Sequence, residues 1–179
     1  EHFWITLKDG VRLSARMWLP DDAETSPVPA ILEYIPYRKR DGTRGRDEPM
    51  HHYFAGHGYA AVRVDLRGSG ESDGLLDDEY TQQELDDGCE VIAWIAAQKW
   101  CSGAVGMMGK SWGGFNCLQV AALRPKALKA VLSAHGLDLI SGWYSAELLA
   151  RDAKEEMKHL RAHLDLLKAL GWNVLVFAE

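Results

Sequence analysis

Apolar and polar positions trade places in two rhythms along this chain, and those rhythms predict its elements. Residues 3–6 and 11–19 alternate with a period of two, and the intervening Lys8-Asp9-Gly10 carries the Asp-Gly signal of a tight turn, so an antiparallel hairpin is expected. After a proline-bearing, acidic loop over 20–29, the apolar runs 30–35 and 59–65 read as buried strands, with a helix near 50–56 between them. The acidic stretch 81–87 opens a helical pattern reaching about Gln98, its carboxylates gathered at the positive N-terminal end. A short apolar strand follows over 104–108, then a helix from Gly113 to about Leu123 that Pro125 stops, then a strand-like run over 127–133. Ala146, Ala150, Ala153, Met157, Leu160, Leu164 and Leu167 recur at steps of four and three. They predict a helix over 145–170 capped by Gly171, with 172–178 as a last strand. Strands separated by helices specify a parallel sheet with crossovers, and the hairpin at the front makes it mixed.

Size and charge narrow the function. A chain of 179 residues suits one domain over 1–179 with its own core. Its 20 Lys and Arg against 26 Asp and Glu, a formal charge of −6, leave no cationic surplus for nucleic-acid phosphates or anionic lipid. No segment approaches the roughly eighteen apolar residues of a membrane span, and the N-terminus lacks a signal-peptide pattern. A soluble, cytoplasmic chain acting on a small molecule is expected, with self-association left open. Cys89, Cys101 and Cys117 are odd in number and lack Cys-x-x-Cys spacing, so reduced, mostly buried thiols are expected rather than disulfides or a zinc site. The chain starts at Glu1 and stops within the apolar run 174–179, which suggests a fragment of something longer.

The residue pattern Gly109-Lys110-Ser111-Trp112-Gly113 matches Gly-x-Ser-x-Gly, a strand-to-helix turn that lifts a serine above the sheet edge. Gly70-Glu71-Ser72-Asp73-Gly74 matches it too, but only Ser111 follows an apolar strand and opens a helix. A competing reading takes 104–111 as a phosphate-binding loop with Ala104 in place of its first glycine. Against it, Val105, Met107 and Met108 are apolar and complete a strand where a solvent-facing loop is required. Acyl transfer at Ser111 needs two donors aimed at the oxyanion, one of them from the residue after the nucleophile, Trp112. No His-Gly-Gly loop supplies the second. Tyr37, just past the strand ending at Ile35, is placed to do so with its phenol; the competing reading is a packed aromatic. Lys110 is expected to be solvated, and Gly68 and Gly70 suggest a tight loop over 65–72 that braces the serine turn.

Three stretches in order carry a resemblance: 34–41 (Tyr-Ile-Pro-Tyr-Arg-Lys-Arg-Asp), 64–72 (Val-Asp-Leu-Arg-Gly-Ser-Gly-Glu-Ser) and 109–115 (Gly-Lys-Ser-Trp-Gly-Gly-Phe). Together the chain resembles the X-Pro dipeptidyl-peptidase and cocaine-esterase-like serine hydrolases over about residues 8–133. The resemblance implies an α/β-hydrolase fold, mostly parallel with an antiparallel N-terminal hairpin and truncated before its last strand. It implies Ser111 as nucleophile, with the oxyanion held by the Tyr37 hydroxyl and the Trp112 backbone N–H. Esters, aminoacyl groups and X-Pro peptides all occur among substrates of the resembling group.

In this fold the acid and then the histidine follow the serine in the chain, and here the pattern breaks from about His135 onward. His135 shares the sheet edge with Ser111 and is the one histidine with a topological argument, though lining or capping is the preferred reading. His159 and His163 share a helix face with Asp165 nearby, more in the manner of a solvated flank than a metal pair. His51, His52 and His57 are read as loop or helix-surface residues. No metal or organic cofactor is expected. The rival to a serine hydrolase is a catalytically incomplete relative with a binding role through the long heptad-patterned helix.

Overall fold

The computed structural model describes residues 1–123, 142–145 and 175–178, and the helical residues 154, 158, 160, 161, 164, 165 and 168. The chain divides into two compact units, 1–120 and 121–179. In the first, β1 (His2–Thr6) and β2 (Arg12–Trp18) form the expected antiparallel hairpin, with Gly10 at φ 89° making the turn. β2 runs antiparallel to β4 (Ala60–Asp65), β4 parallel to β3 (Val28–Ile35), and β3 parallel to β5 (Cys101–Met107). The order is thus β1-β2-β4-β3-β5, a mixed sheet whose parallel strands are joined through α1 (Arg44–Gly56) and α2 (Gln82–Ala96). α3 (Trp112–Ala122) follows β5. Ile5, Leu13, Leu32, Val62, Val64, Val91 and Ile95 make the centre of the core. The helices begin where their chemistry allows. Thr81 caps α2 by accepting from the Glu84 N–H at 3.2 Å, which satisfies one of the N–H groups a helix start leaves unpaired.

α1 starts six residues earlier than its apolar part suggests, because charges rather than an apolar stripe hold it to the sheet. Arg63, in the middle of β4, is fully buried. Its guanidinium donates to the main-chain oxygens of Val64 at 2.6 Å and Ile35 at 3.2 Å and lies 3.3–3.6 Å from Asp65, Asp47 and Glu33. Arg46 bridges Glu33 and Asp47 at 2.6 and 2.7 Å. His51, expected on a surface, is 0% exposed: its ring stacks on Trp18 at 4.6 Å and its Nδ1 meets the Asp47 carbonyl at 2.9 Å. A helix anchored by ion pairs has no apolar periodicity to betray which of its residues face inward.

Burial depresses the His51 imidazole below its ordinary 6.5, against the opposing pull of Asp47. The unfolded chain therefore takes up a proton before the folded one does, and stability falls as pH drops below the ordinary histidine value. Urea midpoints measured between about pH 7 and pH 5 are expected to decline for the wild type and to decline less for His51→Gln. An equal slope in both proteins would show that His51 is not the group responsible.

Within 121–179, β6 (Gly142–Ser145) pairs in parallel with β7 (Leu175–Ala178), Gly142 standing opposite Leu175. Between them the described helical residues follow the expected pattern, with Leu160 and Leu164 half-buried and Lys154, Lys158, Arg161, Asp165 and Lys168 exposed. Ser145, expected to open that helix, instead ends a strand in which Trp143 and Tyr144 supply β-forming aromatics. The run 127–133 and His135, His159 and His163 lie outside the described residues. Among the described residues, no helix is long and apolar enough to cross a membrane and no group of side chains is arranged to hold a metal ion. No disulfide joins the three cysteines; Cys101 is buried and the other two are half-buried.

Candidate active site

β5 ends at Met107 and α3 begins at Trp112, so the main chain must reverse from strand to helix in four residues. Ser111 makes that turn in the left-handed region at φ 56°, a conformation uncommon for a residue with a side chain, and it is exposed. The two flanking glycines are there for space. A Cβ on Gly113 would come within 2.7 Å of the Ile35 Cγ2, and one on Gly109 would run into the Gly113 main chain, its Cα at 2.5 Å. Trp112 is the first residue of α3, so its N–H has no acceptor within the helix and lies at the positive end of the helix dipole. Lys110 is exposed, as expected. Residues 105–107, which a phosphate-binding loop would need free, belong to β5. Ser72, in the second Gly-x-Ser-x-Gly, is a structural stitch: it donates to the Asp65 carbonyl at 2.8 Å and accepts the Ser14 N–H at 2.9 Å.

Tyr37 stands two residues beyond β3, the strand that neighbours β5. Asn116 of α3 reaches across to donate to the Tyr34 carbonyl at 3.1 Å, and the Met108 N–H donates to Leu32 at 2.9 Å, so the end of β3 and the serine turn are packed together. Tyr37 is 37% exposed. The loop it sits on is held from below. Arg38 adopts φ 54°, and the Lys39 N–H donates to the Asp65 Oδ1 at 2.9 Å. The buried Lys39 ammonium contacts Glu71 at 3.0 Å, Asp65 at 3.4 Å and the Ser14 hydroxyl. Gly70 packs on Asp65 so closely that a Cβ there would lie 2.7 Å from the Asp65 Cγ. Within the stretch 65–72, Asp65 and Glu71 hold the loop carrying Tyr37, Arg67 pairs with Asp87 of α2 at 2.7 Å and with Asp9 at 2.8 Å, and Ser72 joins β2. Lysine ordinarily lies outside, so nothing in the sequence marks Lys39 as the buried link.

Two residues of the site were not anticipated. Glu84 is 4% exposed and its two carboxylate oxygens accept the Tyr80 N–H at 2.8 Å and the Trp112 indole N–H at 2.6 Å. The spacing Thr81-x-x-Glu84, a helix-capping signature, was the available signal. Tyr80 turns in the left-handed region at φ 59°, with its ring centroid 5.3 Å from both Trp112 and Phe115. Burial, reinforced by Glu79, Tyr37 and Glu84, pushes its phenol up to about 12. Hollows of about 480 and 390 Å³ open elsewhere on the molecule, and neither is lined by Ser111, Tyr37 or Trp112.

A mixed sheet bearing a serine on a glycine-flanked strand-to-helix turn defines an α/β-hydrolase. The chain belongs to the X-Pro dipeptidyl-peptidase family (S15 family), whose family model matches residues 9–169. The match extends past residue 133, beyond the stretch that the sequence motifs marked. The cocaine esterase of a Rhodococcus species is 35% identical over 179 residues, covering 96% of this chain and 27% of that protein. A Mycobacterium bovis protein named as a candidate serine esterase is 34% identical over 127 residues, 62% of this chain and 20% of its own. A CocE/NonD family hydrolase of Staphylococcus aureus, known by crystal structure, superposes with a TM-score of 0.60 at 26% identity, over 71% of this chain and 25% of that one. The chain thus spans 27% and 20% of the length of these two curated relatives.

Proposed function

We propose that this chain carries the nucleophile and oxyanion hole of a serine hydrolase that cleaves small ester or amide substrates, of simple ester, aminoacyl or X-Pro peptide type, through an acyl-enzyme. The observation that supports it most is Ser111 itself, exposed and left-handed between β5 and α3 over glycines whose Cβ positions are occupied. The Ser111 hydroxyl oxygen attacks the carbonyl carbon while its proton passes to a base. The Tyr37 hydroxyl and the Trp112 N–H take the oxyanion, and the leaving group departs with that proton. Water then repeats the sequence and frees the acid and the serine. Among the described residues no hydrogen bond engages the Tyr37 hydroxyl.

The described histidines of the first unit are committed elsewhere. His2 meets Ser14 and Glu71, His51 lies beside Glu33, His52 beside Glu48, and His57 bonds the Tyr53 carbonyl. The base is therefore sought later in the chain, where the fold's order of serine, acid, histidine puts it. The second reading is a relative without a complete triad.

A fluorophosphonate probe, which reacts with activated serines, separates the two. The folded wild-type chain is expected to label and Ser111→Ala not to label, with circular dichroism unchanged. Tyr37→Phe is expected to slow labelling by about a hundredfold, as loss of one oxyanion donor does. A folded wild-type chain that stays unlabelled would decide for the incomplete relative.

A further inference from the structure

Glu84 does more than cap a helix. In a capping box the acid at the third helical position returns to the N–H of the cap residue, a task a neutral glutamine performs as well. Here the carboxylate reaches one residue further back, to the Tyr80 N–H at 2.8 Å, and its other oxygen takes the indole N–H of Trp112 at 2.6 Å, 28 residues away. Among the described residues it has no cationic partner, although it is almost wholly buried. Burying a carboxylate is unfavourable unless strong hydrogen bonds compensate, and these two are charge-assisted.

What the carboxylate joins is telling. The non-glycine residues with left-handed backbone among the described ones are Arg38, Tyr80 and Ser111. Arg38 follows Tyr37, Ser111 precedes Trp112, and Tyr80 packs its ring on Trp112. Glu84 ties the Tyr80 turn to the side chain of the residue whose main-chain N–H is the proposed oxyanion donor. The Trp112 indole has few ways to move: the Tyr80 ring lies against it and the Glu84 carboxylate holds its N–H. Fixing the side chain fixes the first turn of α3 from which the N–H projects.

We propose that Glu84 is a positioning residue of the Ser111 site, holding the Trp112 main-chain N–H in line with the oxyanion through its bond to the Trp112 indole. The proposal rests on the serine-hydrolase reading. It predicts that losing the carboxylate slows the chemical step rather than weakening encounter with the probe, since a misplaced donor is felt when charge develops on oxygen.

The test uses the full chain and the two kinetic constants of fluorophosphonate labelling. Glu84→Gln is expected to lower the maximal labelling rate by about tenfold to a hundredfold with little change in the probe concentration at half-saturation. Trp112→Phe keeps an aromatic ring but removes the indole N–H, and should lower the rate similarly. The double variant should be no slower than the slower single one, because both act through one bond. Thr81→Ala weakens the same helix cap without touching Trp112, and should reduce thermal stability while leaving the labelling constants unchanged. Glu84→Gln labelling at the wild-type rate, additive losses in the double variant, or equal slowing by Thr81→Ala would each overturn the positioning role while leaving the hydrolase reading intact. A folded wild-type chain that does not label at all would instead remove the hydrolase reading, and the role of Glu84 with it.

Discussion

Asp65→Asn is expected to destabilise the folded chain by about 3–5 kcal/mol, the range seen when one partner of a buried ion pair is removed. Asp65 is 0% exposed at the end of β4 and takes the Lys39 N–H at 2.9 Å, the Lys39 ammonium at 3.4 Å and the Arg63 guanidinium at 3.3 Å. Its carboxylate is the largest influence opposing the desolvation of Arg63. Asparagine keeps the shape but not the charge, and it turns an N–H₂ group toward donors, so two buried cations lose a common counter-ion. Urea unfolding measures the loss. Because the same carboxylate holds the loop carrying Tyr37, labelling of Ser111 should slow in parallel at temperatures where the variant is still folded. A change below about 1 kcal/mol would mean that Asp47, Glu33 and Glu71 suffice to balance Lys39 and Arg63.

Gly109→Ala is expected to damage the serine turn severely. The added methyl meets the Gly113 main chain, with its Cα at 2.5 Å, and main chain does not step aside as a side-chain tip does. Relief requires that β5 and α3 separate, which takes Ser111 off its turn. A loss of about 1–3 kcal/mol or more is anticipated, as for overpacked cores, together with complete loss of labelling. Gly106→Ala serves as the comparison. It lies in β5 with 3.9 Å to its nearest neighbour, the Ala30 carbonyl oxygen, and should change neither thermal unfolding nor labelling appreciably. If Gly109→Ala labelled normally, the close passage of strand and helix would not be what shapes the serine turn.

Where apolar residues repeat, the fold was legible in advance. The hairpin, the two buried strands, α2 with its acidic start, and the succession β5, serine turn, α3 all fall within a few residues of the expected places. Each failure has its own physical origin. The first half of α1 and the burial of His51 depend on ion pairs among Glu33, Arg46, Asp47 and Arg63, and charge complementarity leaves no period to read. β6 is four residues long and borders a heptad pattern that masks it. In the candidate site, Ser111, Tyr37 and Trp112 were nameable because a motif and its strand-turn-helix context are local. Lys39, Asp65 and Glu84 act by reaching across 26 to 28 residues, and such pairings become visible only once the sheet brings β3, β4, α2 and α3 together.

The left-handed backbone at Arg38, Tyr80 and Ser111 has a bearing on how durable this fold can become. Each such residue costs on the order of 1–3 kcal/mol, a sizeable share of the roughly 5–15 kcal/mol that separates folded from unfolded chains. Glycine or asparagine would sit at these positions with less strain, and a sequence optimised for heat resistance alone has no reason to retain arginine, tyrosine and serine there.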